Sequence, residues 1–148
     1  MIRRTAAVTL LMLSIGACST MQPKRERIVK APPSCADQTV QIYFESRSSE
    51  VTKEGRAVLN AAARDSKACN VTAVDVLGLA DAVSGTPDDN LELSKKRAEA
   101  VTQALTAAGL PVAEFKVAAA GEAGAINAKG NLRPLRRRAD IVLHMSPK

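Results

Sequence analysis

Aromatic side chains are almost missing from this 148-residue chain: Tyr43, Phe44 and Phe115 are all it has, and there is no tryptophan. A folded core must therefore be assembled from Ala, Val, Leu and Ile, within a composition that is 46% hydrophobic. His144 is the sole histidine, and the three cysteines (Cys18, Cys35, Cys69) contain no CxxC pair. That leaves no ordinary ligand set for a metal site and no expected cofactor. Nucleophilic catalysis needs an activated thiol or hydroxyl beside a base. With one histidine near the far end of the chain, no catalytic residues are expected either. Asp88 and Asp89 stand side by side among turn-forming residues and read as a solvated turn rather than an acid/base pair. No apolar run approaches the about 20 residues that a membrane-crossing helix requires. Nor is there an internal repeat.

The longest apolar run is Ala6 to Ile15, preceded by Arg3 and Arg4. A positive start and a short apolar stretch describe a signal peptide, to be set aside from the fold. Ile15-Gly16-Ala17-Cys18 follows, and it resembles the lipobox of bacterial lipoproteins: a branched apolar residue, two small ones, then the cysteine that receives the lipid. Residues 1–17 are thus expected to be removed and Cys18 to be acylated, palmitate included. Ser19 stands where retention at the inner membrane usually shows Asp, which implies outer-membrane sorting, with the body facing the periplasm. Several acyl chains anchor stably where one does not.

The expected mature chain has 131 residues, one ordinary domain's worth. Its formal charge falls from +6 to +4 with Arg3 and Arg4 gone. So modest a charge in an exported chain points to no nucleic-acid partner. Residues 18–37 combine charge and proline (Lys24, Arg25, Arg27, Lys30, Pro32, Pro33) and read as the lipidated N-terminus and an extended tether. In an oxidising compartment Cys35 and Cys69 are expected to form a disulfide. Two unpaired thiols are the alternative.

From residue 38 to 148 the pattern is that of one α+β domain. Val40, Ile42 and Phe44 alternate as in a half-buried strand. Thr52 opens a helix to about Lys67, with Val58, Leu59, Ala62 and Ala63 on one face. Val71 to Gly78 reads as a strand covered by helices. A loop is expected from Leu79 to Asp89 and a helix from Leu91 to Ala108, its stripe being Leu93, Ala98, Val101, Leu105 and Ala108. Gly109 supplies a left-handed cap and Pro111 stops the helix. Phe115–Ala119 and Ala139–Leu143 are the last strands. The order βαβαβ(β) predicts a two-layer α/β sandwich, with both helices on one face of a mixed four-stranded sheet.

Several segments carry a family resemblance. Leu77-Gly78-Leu79-Ala80-Asp81, Gly85 and Asn90-Leu91-Glu92-Leu93-Ser94-Lys95-Lys96-Arg97-Ala98-Glu99-Ala100-Val101 follow the pattern G-H-T-D, Gly, N-x-x-L-S-x-x-R-A-x-x-V. Ile42-Tyr43-Phe44-Glu45 with Ser48, Val51-Thr52 and Gly55 lies before them. Ala108-Gly109-Leu110-Pro111, Ala120-Gly121-Glu122 and Arg137-Arg138-Ala139-Asp140-Ile141 lie after, in matching order. The chain resembles the OmpA-like, peptidoglycan-associated domain over residues 39–145. The resemblance implies non-covalent binding of peptidoglycan through the diaminopimelate of its stem peptide, whose free end carries an ammonium and a carboxylate on one carbon. Asp81 matches the family residue that takes the ammonium, and Arg97 the one that takes the carboxylate by a charge-assisted fork. Asn90 and Arg137 match further site positions; for Asn90 a helix-capping role is equally open. Tyr43 and Glu45 are open between ligand contact and a core or edge role.

The chain also departs from the pattern. Leu79, Ala80, Asp89 and Arg136 replace the family His, Thr, Tyr and Asn, and one extra residue separates Asp81 from Asn90. Two functions follow for the domain. The first is a lipid-held module tying outer membrane to wall. The alternative keeps the fold as a protein-interaction or envelope-assembly module, with envelope proteins as partners and little or no hold on the wall.

Overall fold

The structure, a computed structural model, describes residues 34–83, 85–110, 114–133 and 136–148. The expected signal peptide, Cys18 and nearly all of the tether lie outside them. Strands β1 (Gln38–Tyr43), β2 (Asn70–Gly78), β3 (Glu114–Ala119) and β4 (Arg138–Ser146) form one sheet in the order β1-β4-β2-β3. β4 runs antiparallel to both neighbours, and β2 and β3 are parallel. Helices α1 (Lys53–Asp65) and α2 (Pro87–Ala107) cover one side, giving the mixed two-layer α+β architecture that the pattern implies.

The core lies between sheet and helices. Val40 and Ile42 from β1, Val74 and Val76 from β2, and Ala139, Ile141 and Leu143 from β4 face Leu59, Ala62 and Ala63 of α1 and Ala98, Val101 and Leu105 of α2. Val58 was expected on the inner face of α1 but is 42% exposed; Gly55 takes the place beside Leu59 and Ala62. A glycine there lets the helix start sit close to Val51 and Ile42. Thr52 caps α1 by accepting the Gly55 amide at 3.0 Å. The helix closes in a 3-10 turn, Ser66–Ala68.

α2 begins four residues before the expected Leu91, because its signal is Thr86-Pro87-Asp88-Asp89. Thr86 accepts the Asp89 amide and the Asp89 carboxylate accepts the Thr86 amide, a reciprocal capping box with proline in the first turn, where its missing N–H costs nothing. Asp88 and Asp89 are therefore first-turn helix residues, not a solvated loop. The other end is as expected: Gly109 has φ +78°, and the Gly109 and Leu110 amides close onto the Thr106 and Leu105 carbonyls.

Cys35 and Cys69 are joined, with a Cα–Cα distance of 5.6 Å. The bond ties the segment entering β1 to the residue preceding β2.

Candidate functional site

β2 ends at Gly78, and α2 crosses directly over that end. A Cβ on Gly78 would lie 1.9 Å from the Ser94 carbonyl oxygen, so only glycine admits the helix at this height. Ser94 then links three segments. Its hydroxyl donates to the Leu91 carbonyl at 2.7 Å and accepts the Gly121 amide at 2.9 Å, while the Gly121 carbonyl takes the Ala80 amide at 2.8 Å. The β2 exit, the start of α2 and the loop after β3 are thereby fixed to one another.

Asp81 leaves this junction with its side chain 6% exposed. One carboxylate oxygen accepts the Val83 amide at 3.2 Å, and the other faces Arg137 Nη1 at 3.4 Å. Arg137, just before β4, is 42% exposed at its side chain. The two line a cleft of about 150 Å³ with Ser46, Ala82, Val83, Ala125, Leu132 and Arg133. One anion and a cation at its wall are within reach of a single small ligand.

Arg97 occupies a different place from the one its spacing suggests. It is fully buried, and every nitrogen of its guanidinium donates to a main-chain carbonyl: Nε to Ser48 at 2.8 Å, Nη1 to Leu79 at 2.8 Å and Nη2 to Glu45 at 3.2 Å. Its plane lies over the Phe44 ring, 5.0 Å from the centroid. Burial pulls its pKa down to about 10, opposed by the attraction of Asp81 and assisted by repulsion from Arg137. It stays charged at neutral pH. Arg97 thus holds the β1–α1 loop to the β2 exit from beneath Asp81, and it is not part of the cleft wall. Glu45 contributes its carbonyl to this arrangement, and Tyr43 is an exposed β1 residue.

Asn90 is likewise buried and away from the wall. The helix cap is Thr86, so Asn90 does not cap. Its amide donates to Glu122 at 2.6 Å and to the Gly85 carbonyl at 3.3 Å, joining the α2 entrance to the Gly121 loop, while its Oδ1 is buried without a partner. Of the positions that depart from the family pattern, Leu79 and Ala80 are interior, whereas Asp89 is exposed and Arg136 partly exposed. Leu79 and Ala80 are 1% and 0% exposed, and Asp89 belongs to the capping box. None of them lines the cleft.

Sequence reasoning passed over Arg133 and Glu122. Arg133 lies in the stretch from Gly130 to Ile141 that resembles the family's closing segment, and Glu122 in the Ala120-Gly121-Glu122 loop, but the resemblance gives neither a role. At the other end of the sheet it also passed over the role of His144. That ring faces Asp37 at 2.8 Å and Asp75 at 3.2 Å, and the Met145 amide donates to Asp37 at 3.2 Å. The two carboxylates, Asp37 first, raise the His144 pKa, and His144 lowers that of Asp37. Among the described residues no group of three or more His, Cys, Asp or Glu is placed to hold a metal ion. None of their helices is long and apolar enough to cross a membrane.

A four-stranded mixed sheet under two helices is the architecture of an OmpA-like domain. The chain belongs to the OmpA family, whose model matches residues 43–138. Among solved structures it is similar to the peptidoglycan-associated lipoprotein from Burkholderia pseudomallei, at 27% identity and TM-score 0.54 over 70% of this chain and 88% of that one. The cell wall anchor of the T6SS from Pseudomonas aeruginosa shares the fold at 24% identity and TM-score 0.58, over 74% and 82% of the two chains. So does the OmpA-like domain of FopA1 from Francisella tularensis, at 19% and 0.63 over 74% and 76%. No curated protein matches the sequence.

Proposed function

We propose that this domain binds peptidoglycan non-covalently by gripping the free end of diaminopimelate, and that it does no catalysis. The observation that carries the reading is the Asp81–Arg137 pair in the wall of one small cleft. Asp81 would take the ligand ammonium and Arg137 the carboxylate, each in a charge-assisted hydrogen bond. Arg97 and Asn90 serve the same site from beneath: Arg97 fixes the Asp81 segment and adds positive potential, and Asn90 holds the loop that forms the far wall. Their partners in the structure are main-chain carbonyls and Glu122, so a direct grip by Arg97 requires it to exchange a carbonyl for the ligand. Kinship with a protein named as peptidoglycan-associated supports the reading.

The second part of the proposal is the anchor. Cleavage before Cys18 and acylation there would hold the chain in the outer membrane with the domain in the periplasm, linking membrane to wall. Cys18→Ser should then remain uncleaved and take up no palmitate label. The cleft itself is tested by co-sedimentation with purified wall sacculi. Wild-type chain should pellet with them, and Asp81→Ala should not. A chain that ignores sacculi at low salt would leave the protein-interaction module as the better account.

A further inference from the structure

The charges around the cleft do not balance. Asp81 is already matched by Arg137 at 3.4 Å and lies within the field of buried Arg97. Arg133 lines the same cleft, and among the described residues no carboxylate stands within ion-pair distance of it. The neighbouring arginines are occupied: Arg138 grips Asp140 at 2.7 and 3.1 Å, and Arg136 donates to the Ala123 carbonyl.

Arg133 is also held in place. Ile126 and Leu132 form a β-bridge, Asn127 accepts the Lys129 and Asn131 amides on its side chain, and the Arg133 amide donates to the Ala125 carbonyl at 2.7 Å. A small hydrogen-bonded loop thus delivers a spare cation to the cleft rim. The cleft, about 150 Å³, is small. A ligand much larger than the cleft must pass over its rim.

We propose that Arg133 is a specificity-determining residue that reads a second carboxylate, one lying beyond the zwitterionic end held by Asp81 and Arg137. The inference rests on the peptidoglycan reading. It narrows the ligand to stem peptides that carry one ammonium and at least two free carboxylates near it. Two carboxylates meet that description: the one at the other end of the diamino acid, free where the stem ends there as a tripeptide, and the α-carboxylate of the preceding glutamate. Amidating either removes its charge with little change of shape.

The test is calorimetric titration of the full chain, disulfide intact, with three synthetic tripeptides of alanine, γ-linked glutamate and diaminopimelate. One has all carboxylates free, one is amidated on glutamate, and one is amidated at the peptide-side carboxylate of the diamino acid. An exposed ion pair contributes about a two- to five-fold change in affinity. One of the two amides should bind wild type weaker by that factor, and which one identifies the carboxylate. Arg133→Gln should lose the same factor on the free peptide and lose nothing more on that amide. Equal binding of all three peptides by wild type, or an Arg133→Gln chain that binds the free peptide normally, would overturn the role of Arg133 while leaving the cleft reading standing. If wild type and Asp81→Ala both fail to bind the free peptide, the cleft reading falls and Arg133's role with it.

Discussion

The two ends of β2 are built by different chemistry. At its start, Cys69 is bonded to Cys35, and farther along the strand His144 joins Asp37 to Asp75 across β4. At its finish, twelve residues beyond Cys69, Asp81 stands in a junction of loops held by main-chain hydrogen bonds, with Gly78, Ser94 and Arg97 as the fixed points. Nine strand residues put about 30 Å between them. The first end is closed by a covalent bond and exposed ion pairs that any surface could carry. The second has a buried cation spent on carbonyls and a carboxylate left at a cleft. A sheet end that only had to be stable would not need that arrangement, since paired buried charge is weak evidence for stability. The contrast fits the proposed function, in which the closed end holds the chain together and the cleft end binds.

Substitutions break this contrast in order of size. Arg97→Ala should be the most damaging at the cleft end, because it leaves three carbonyls of Ser48, Leu79 and Glu45 without their donor. Breaking such a buried charged network costs about 3–5 kcal/mol, read as a fall in urea midpoint. Arg97→Lys should recover only part, since an ammonium cannot reach three carbonyls in the guanidinium plane. Gly78→Ala should cost a comparable amount through its collision with the Ser94 carbonyl. At the other end, a Cys35→Ser/Cys69→Ser double variant should lose roughly 3–4 kcal/mol of stability by restoring chain entropy to the unfolded state. Its affinity for sacculi should stay within about two-fold, the exposed-pair scale. Loss of binding there would erase the division between the ends.

The smallest effect is expected from the histidine clasp. His144 has a raised pKa in the fold, so its contribution is complete below its ordinary value of 6.5 and is lost as pH rises through the folded value. Asp37 has a lowered pKa, so its share is present above 3.8 and is lost as pH falls through its own folded value. The clasp should therefore act most fully between these limits. Melting temperature followed from pH 4 to 9 should show a decline as pH rises past 6.5 that His144→Gln flattens. A His144→Gln chain with the wild-type profile would remove the clasp from the account.

Much of the fold was legible in the sequence because it rests on local period. Val40, Ile42 and Phe44 alternate, and Ala98, Val101 and Leu105 recur at helical spacing. Gly109 is read correctly because a left-handed cap has one cheap residue. The start of α2 is misread because Pro87, Asp88 and Asp89 look like loop residues until Thr86 and Asp89 are seen as a reciprocal cap. The pattern pairs Asp81 with Arg97, whereas in the fold Asp81 faces Arg137, and the destination of Arg97 is not in the pattern. Its acceptors lie 49, 18 and 52 residues away, and they are carbonyls, which no side-chain motif encodes. The His144 clasp escapes for the same reason, with partners 107 and 69 residues distant.

The most direct test of the cleft end is a double-variant cycle of Asp81→Ala and Arg137→Ala, with binding to sacculi and urea stability measured on the same four proteins. Truncating one side of a desolvated charge pair costs about 2–5 kcal/mol, roughly thirty-fold or more in affinity. Asp81→Ala should show that loss, Arg137→Ala a smaller one because its side chain is more exposed, and the pair should lose less than the sum of the two. Stability should change by no more than about 1–2 kcal/mol in any of them. An Asp81→Ala chain that is stably folded and still pellets with sacculi like wild type would contradict the account.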